Sequence, residues 1–408
     1  MATLSVAMPV VNRNPMNNRG FRLLWTGRAV SVLGDQFYLV ALPWLILQHT
    51  GSAVALGAIM MTGAVPQTVL MLVGGVVSDR ISPRRILLTT TSARALCVAL
   101  IGALVWFQYL QLWQIYVLVF VFGVADAFAL PASQALLPSL VDREQLASAN
   151  SITQMTQQLA IIVGPAPAGF IVRSLGTASA FFIDAVSFLF VIAALWRLPD
   201  PSAPIAAPRR EGMVRSILDG LSYVKRDVAL SSLLLVAAAL NFCISGPVSI
   251  GIAWMGKQTF GSPVAFSVCI SAVAAGGLVG ALLAGVLKPR KRGRLLILVS
   301  ALIAICTAIL GMLASLWILA AVLLIMSAAA GFLNVHLVAW LQQRVDREYR
   351  GRTMSVVMFA AVGLAPLSLA LAGIAVKFSV SGMFVGAAIL LLAVTTIAAL
   401  QRPVRDID

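Results

Sequence analysis

The sequence predicts an all-α membrane protein, twelve transmembrane helices in two pseudo-symmetric six-helix bundles, and three observations carry that prediction. Composition is the first: 60% hydrophobic residues, 11% charged residues and a mean hydropathy of +0.98 leave too little polar surface for a soluble globule. The second is twelve apolar runs, each long enough to cross a hydrocarbon core of ~30 Å. The third is a repeat. Val141-Asp142-Arg143-Glu144 returns as Val345-Asp346-Arg347-Glu348, an offset of 204 residues in a chain of 408, and each copy follows one long apolar stretch and opens another. Two related membrane halves with a site between them are an architecture of many secondary transporters.

In chain order, the runs 29–48, 54–77, 86–107, 112–138, 150–172 and 176–196 build the first bundle, residues 1–196. The polar segment 197–227 links the halves. Within it Met213, Val214, Ile217, Leu218, Leu221 and Val224 recur at helical spacing, with Arg215, Lys225 and Arg226 nearer the other side, which reads as an amphipathic helix on the membrane surface. A flexible linker is the alternative reading, favoured upstream where Pro199, Pro201, Pro204 and Pro208 crowd together. The runs 228–254, 264–287, 295–313, 316–341, 353–376 and 380–400 then build the second bundle, residues 228–408.

The net charge of +15 raises the question of a nucleic-acid partner, and the placement of the basic residues answers it. With both termini assigned to the cytoplasm, 24 of the 29 Lys and Arg fall on the cytoplasmic side; Arg173, Lys257 and Lys377 lie near outer ends, and Arg28 and Arg94 within spans. That asymmetry is the positive-inside rule, with anionic lipid as counter-charge and no nucleic acid required. Cys97, Cys243, Cys269 and Cys306 lie in or beside apolar spans without metal-ligand spacing and read as small packed hydrophobes. The N-terminus shows no cleavable signal pattern, so the first spans themselves are expected to direct insertion.

Between the second and third runs lies Gly75-Val76-Val77-Ser78-Asp79-Arg80-Ile81-Ser82-Pro83-Arg84-Arg85. This loop resembles the cytoplasmic loop motif of the major facilitator superfamily, with Ser82 where many members have glycine. The resemblance implies a major facilitator fold and a conformational latch on Gly75, Asp79, Arg80, Arg84 and Arg85, in which Asp79 meets the start of the eleventh span near Gly351 and Arg352. The plainer reading is that the arginines only enforce topology. The matching loop of the second half places Pro289 where Asp79 would align, so one latch is expected. Gly164-Pro165-Ala166-Pro167-Ala168-Gly169 in the fifth span resembles a glycine-proline motif of antiporters in this superfamily. Proline removes a helix hydrogen bond and glycine admits close packing, so a kink is expected there. Gly27 to Gln36, Ala41-Leu42-Pro43-Trp44, Leu137 to Val141 and Phe181 to Ala185 resemble the subgroup that holds macrolide efflux proteins and the enterobactin exporter. The subgroup implies export of an amphipathic small molecule, with a siderophore, a lysophospholipid or another metabolite as the alternative cargo.

A charge at the bilayer centre costs at least ~2.5–3.5 kcal/mol, which singles out the ionisable residues inside spans. Asp35, Arg94, Asp126 and Asp184 all belong to the first half. Asp35 is the first candidate for a proton-coupled carboxylate; the alternative is a permanent ion pair with Arg28 or Arg94. Asp126 reads as a coupling or substrate residue, or as a helix-to-helix hydrogen bond; Asp184 as structural; Arg94 as a counter-charge. Gln154, Gln157 and Gln158 cover one sector of the fifth span and read as cavity lining or interhelical hydrogen bonding. His336, beside Asn334, reads as an interior imidazole, with a proton relay as its sharper role.

Gly251 to Gln258 imitates a phosphate-binding loop but puts Gln258 where Ser or Thr would ligate magnesium, at the end of a span. No metal set, cofactor motif or nucleophile-base pair appears, so an enzyme is not expected. The reading is a proton-coupled exporter in a bacterial cytoplasmic (inner) membrane, binding a small molecule, protons and membrane lipids, and working as a monomer.

Overall fold

The computed structural model describes residues 14–78, 81–199, 222–224, 227–287, 292–345 and 363–401, and every regular element among them is helical. The first half contains α1 (Arg19–Thr50), α2 (Ala53–Ser78), α3 (Pro83–Trp106), α4 (Leu112–Leu136), α5 (Leu146–Val163), α6 (Pro165–Leu175) and α7 (Thr177–Arg197). The second contains α8 (Val228–Gly246), a π-helical turn (Pro247–Gly251), α9 (Ile252–Gln258), α10 (Pro263–Val286), α11 (Arg292–Leu310), α12 (Leu316–Arg344), α13 (Ala365–Phe378) and α14 (Val380–Leu400). Among the described residues ten helices are long and apolar enough to cross a membrane, α8 through α9 counting as one, and the bent pair α5–α6 makes eleven. The eleventh expected span, 353–376, is seen from Ala365 onward, and its first ten residues lie outside the described ones.

Local chemistry explains where these helices depart from the apolar runs. Helix α1 begins ten residues before the expected 29, because Asn18 Oδ1 accepts from the N–H groups of Gly20 (2.9 Å) and Phe21 (3.3 Å) and caps a first turn in which Arg19 and Arg22 dilute the hydropathy. It ends at Gly51, whose φ of 60° lets its N–H close on the Leu47 carbonyl. The expected kink is present: α5 and α6 meet at 42°. Pro165 and Pro167 carry no N–H, so the carbonyls four residues before them lose their helical donors. Gly164 packs on Gln36 of α1, whereas a Cβ at Gly169 would stand 2.9 Å from the Pro263 carbonyl of α10. The motif therefore touches its own half at one glycine and the other half at the next. The phosphate-loop imitation is helix throughout, the end of the π turn and α9.

The halves meet at the ends of the spans away from the basic loops. Gly57 of α2 and Gly373 of α13 bring two backbones together, so that a Cβ on Gly373 would come 2.6 Å from the Ala53 carbonyl. Lys257 on α9 lies 5.0 Å from the Trp44 ring of α1, a cation–π contact across the interface. At the basic end, Arg84 donates from Nε to the Leu195 carbonyl (2.7 Å) and from Nη2 to the Trp196 carbonyl (3.2 Å), capping α7. Asp79 and Arg80 of the expected latch lie outside the described residues, as do Gly351 and Arg352; so does the linker helix, except for helical Ser222–Val224, where Val224 is buried against Leu230 and Leu341.

Asp227 caps α8, accepting from Ala229 N–H (2.9 Å) and Leu230 N–H (3.3 Å), and pairs with Arg344 Nε at 2.9 Å. Partial burial pushes its carboxyl up, but the Arg344 and backbone hydrogen bonds outweigh that and hold it below the usual carboxylate value. Its contribution is therefore present above the unfolded value of ~3.9 and is lost as pH falls through the lower folded value. Asp227→Ala is expected to destabilise the purified protein by ~1 kcal/mol at neutral pH, and Asp227→Asn, which keeps the cap, by less. Thermal unfolding in detergent checks the order.

Candidate functional site

The first bundle encloses a cavity of about 420 Å³ among α1, α2, α3, α4, α5 and α7. Arg94, near the middle of α3, reaches across it to two carboxylates: Nη2 stands 2.7 Å from Asp35 Oδ1 on α1, and Nη1 stands 3.4 Å from Asp126 Oδ1 on α4. Gln67 on α2 donates to the other oxygen of Asp126 at 2.7 Å. The guanidinium is held between two rings, 4.8 Å from the centre of Phe122 and 4.6 Å from that of Phe188. Tyr38 stacks on Phe122, nearly parallel to it with ring centres 4.5 Å apart. Arg94 is 14% exposed, and Asp35 and Asp126 are 31% and 30% exposed, so the cation is recessed and the carboxylates form the accessible wall.

The magnitudes explain why such a cluster persists within a membrane. A close unit-charge pair at an effective dielectric of about 20 is worth on the order of 4 kcal/mol, against ~2.5–3.5 kcal/mol to insert a lone charge. One planar guanidinium with several donors can serve two acceptors at once, which a lysine ammonium does less well. The four charged side chains lining the cavity, Arg28, Arg94, Asp35 and Asp126, balance to zero when ionised. Uptake of one proton then leaves a single positive charge on the wall.

The other expected residues separate into groups. Arg28 bonds to Ser133 Oγ on α4 rather than to Asp35. It lines the main cavity and also an adjoining one of about 110 Å³ that extends toward the basic end. Gln157 lines both, Gln154 lines the smaller, and Gln158 points instead at the second half, its Nε2 3.5 Å from the Ala274 carbonyl of α10. Asp184 is fully buried on α7 beneath Gly34 of α1; it accepts from Ser187 Oγ at 3.3 Å and does not line the cavity. His336 lies on α12 in the second half, edge-on to Phe332 at 4.5 Å and away from the carboxylates. Sequence reasoning missed Gln67, Tyr38, Phe122 and Phe188. For Gln67 a signal existed, a lone amide after Pro66 in an otherwise apolar span; the aromatic residues are indistinguishable in sequence from lipid-facing ones.

The Major Facilitator Superfamily model matches residues 24–367. The chain is 24% identical to macrolide efflux protein A of Streptococcus pyogenes over 395 residues, 95% of this chain and 97% of that protein. It is 26% identical to the multidrug efflux pump Tap of Mycolicibacterium fortuitum over 391 residues, 92% and 94% of the two chains. Its fold is similar to that of the nucleoside transporter NupG, with a TM-score of 0.75 at 11% identity over 93% of this chain and 98% of that one. The chain is a multi-pass membrane protein and belongs to the Major Facilitator Superfamily.

Proposed function

We propose that this protein exports amphipathic small molecules across a bacterial cytoplasmic membrane in exchange for protons, by alternating access. The observation that carries the reading is the Arg94 guanidinium shared between Asp35 and Asp126 on the wall of a mid-membrane cavity. In this scheme both termini face the cytoplasm, the protein works as a monomer, and no chemical step is catalysed. A proton arriving on Asp35 neutralises one of the two carboxylates that face Arg94, which then turns to Asp126; the wall becomes positive and releases a cationic or hydrogen-bonded cargo. Loss of that proton to the cytoplasmic side restores the ion pair and the affinity for cargo.

Rocking of the bundles would open the contacts at Gly57–Gly373 and Lys257–Trp44 while the latch of Gly75, Asp79, Arg80, Arg84 and Arg85 closes the cytoplasmic side. The kink at Gly164-Pro165 and the close packing of Gly169 would bend with that motion. Naming of two relatives as macrolide and multidrug efflux proteins supports a drug-like cargo. The test is uptake of a macrolide and dye panel by inverted vesicles made acidic inside. Accumulation that collapses when a proton–potassium exchanger dissipates the pH gradient supports antiport; accumulation indifferent to the gradient sinks it.

A further inference from the structure

Seven residues separate Arg28 from Asp35 on α1, and seven separate Asp126 from Ser133 on α4. That interval is two helical turns, so each pair shares one face of its helix, and on α1 the two side chains start ~10 Å apart along the axis. Arg28 meets Ser133, and Asp35 meets Asp126 through Arg94, so α1 and α4 run antiparallel and carry two rungs across the same cavity.

The rungs differ in charge. Two carboxylates against the single Arg94 guanidinium leave one rung with a surplus negative charge when ionised. The other is positive: Arg28 bonds to the neutral Ser133 hydroxyl, and among the described residues no carboxylate lies within ion-pairing distance of it. The zero balance of the whole wall therefore conceals a separation of charge along its length.

Arg28 stands where the cavity of about 420 Å³ joins the one of about 110 Å³, and Gln157 lines both beside it. No Asp or Glu is among the described residues that line the smaller cavity, which carries the amides of Gln154 and Gln157 together with apolar Phe21, Leu24 and Leu137. With Nη1 on Ser133, Arg28 keeps Nε and Nη2 for a ligand, and those two parallel donors match the oxygens of a carboxylate.

We propose that Arg28 is the anion-binding end of the cargo site and that the preferred cargo is a zwitterionic amphiphile, its ammonium at Asp35 and Asp126 and its carboxylate at Arg28. This rests on the reading of the cavity as the cargo site.

Equilibrium binding to the full chain in nanodiscs, corrected with empty nanodiscs, tests it at neutral pH. The probes are a fluoroquinolone, which bears a piperazine ammonium at one end and a carboxylate at the other, and its methyl ester, which keeps only the cation. The acid is expected to bind about tenfold more tightly than the ester, the lower end of what a hydrogen bond to a charged group contributes. Arg28→Gln should bring that ratio to about one, and Arg28→Lys should keep most of it, which a loss of packing alone would not do. Asp35→Asn should weaken acid and ester alike and leave the ratio standing. No binding of the fluoroquinolone, or equal binding of acid and ester, overturns the subsite; a preference that survives Arg28→Gln overturns its assignment to Arg28. Vesicle accumulation separates this from the transport scheme: proton-driven uptake without a preference for the acid keeps antiport and overturns the subsite, whereas an Arg28-dependent preference without proton-driven uptake supports the subsite and overturns antiport.

Discussion

Asp35→Asn is expected to bring proton-driven accumulation in inverted vesicles down to the level seen without a pH gradient, while the protein remains folded and inserted. Asparagine has the shape of the aspartate and its carbonyl still accepts a hydrogen bond from Arg94, which stands 2.7 Å from Asp35 against 3.4 Å from Asp126. What it cannot do is gain and lose charge. Arg94 keeps Asp126 as a charged partner, so the cost to stability stays near that of one partly exposed ion pair, ~1 kcal/mol. The loss should therefore appear in coupling: cargo already on board still exchanges across the membrane, but the gradient no longer drives net movement. Asp126→Asn gives the contrast. Gln67 holds one oxygen of Asp126 at 2.7 Å, and an amide there disturbs positioning more than charge cycling. If Asp35→Asn accumulates cargo like the native protein while Asp126→Asn does not, coupling belongs on α4.

What could be read from the sequence divides along physical lines. Hydropathy is a property of each segment alone, so the spans were legible from composition. It failed where polar residues extend a membrane helix beyond its apolar run, as at Arg19 and Arg22 in the first turn of α1, because the Asn18 cap and not apolarity sets that boundary. The bend at Gly164-Pro165 was legible because a missing N–H is a local fact. Pairing is not local. Arg28 and Arg94 were equal candidates as partners of Asp35, and only the register of α3 against α1 assigns Arg94, leaving Arg28 to Ser133. The glutamines show the same limit. Gln154, Gln157 and Gln158 share one sector of α5, yet the first two line cavities of the first bundle and the third turns to α10, since α5 lies at the seam between the halves.

Arg94→Leu is the substitution with the largest expected effect on stability. It leaves two carboxylates, Asp35 and Asp126, in the middle of a bundle with Arg28 bonded elsewhere and Gln67 as the nearest donor to one of them. Removing the shared partner of two partly exposed carboxylates costs more than the ~1 kcal/mol of one such pair and approaches the roughly 3–5 kcal/mol of a buried one, because the orphaned charges and not the lost attraction dominate. A fall in the detergent melting temperature and in the membrane-inserted yield is the expected result. The decisive measurement is the rescue. Adding Asp35→Asn and Asp126→Asn to Arg94→Leu removes the orphaned charges and places an aliphatic chain between the Phe122 and Phe188 rings that now hold the guanidinium. Such a neutral replacement should recover most of the lost stability, since the three sites are coupled and their effects do not add. Arg94→Lys should fall between, retaining charge without the fork that spans two acceptors. A triple variant that folds as the native protein does, yet moves no cargo against a gradient, would show that the cluster is kept for transport at the expense of stability; an Arg94→Leu single variant as stable as the native protein would mean that these ion pairs contribute nothing to the fold.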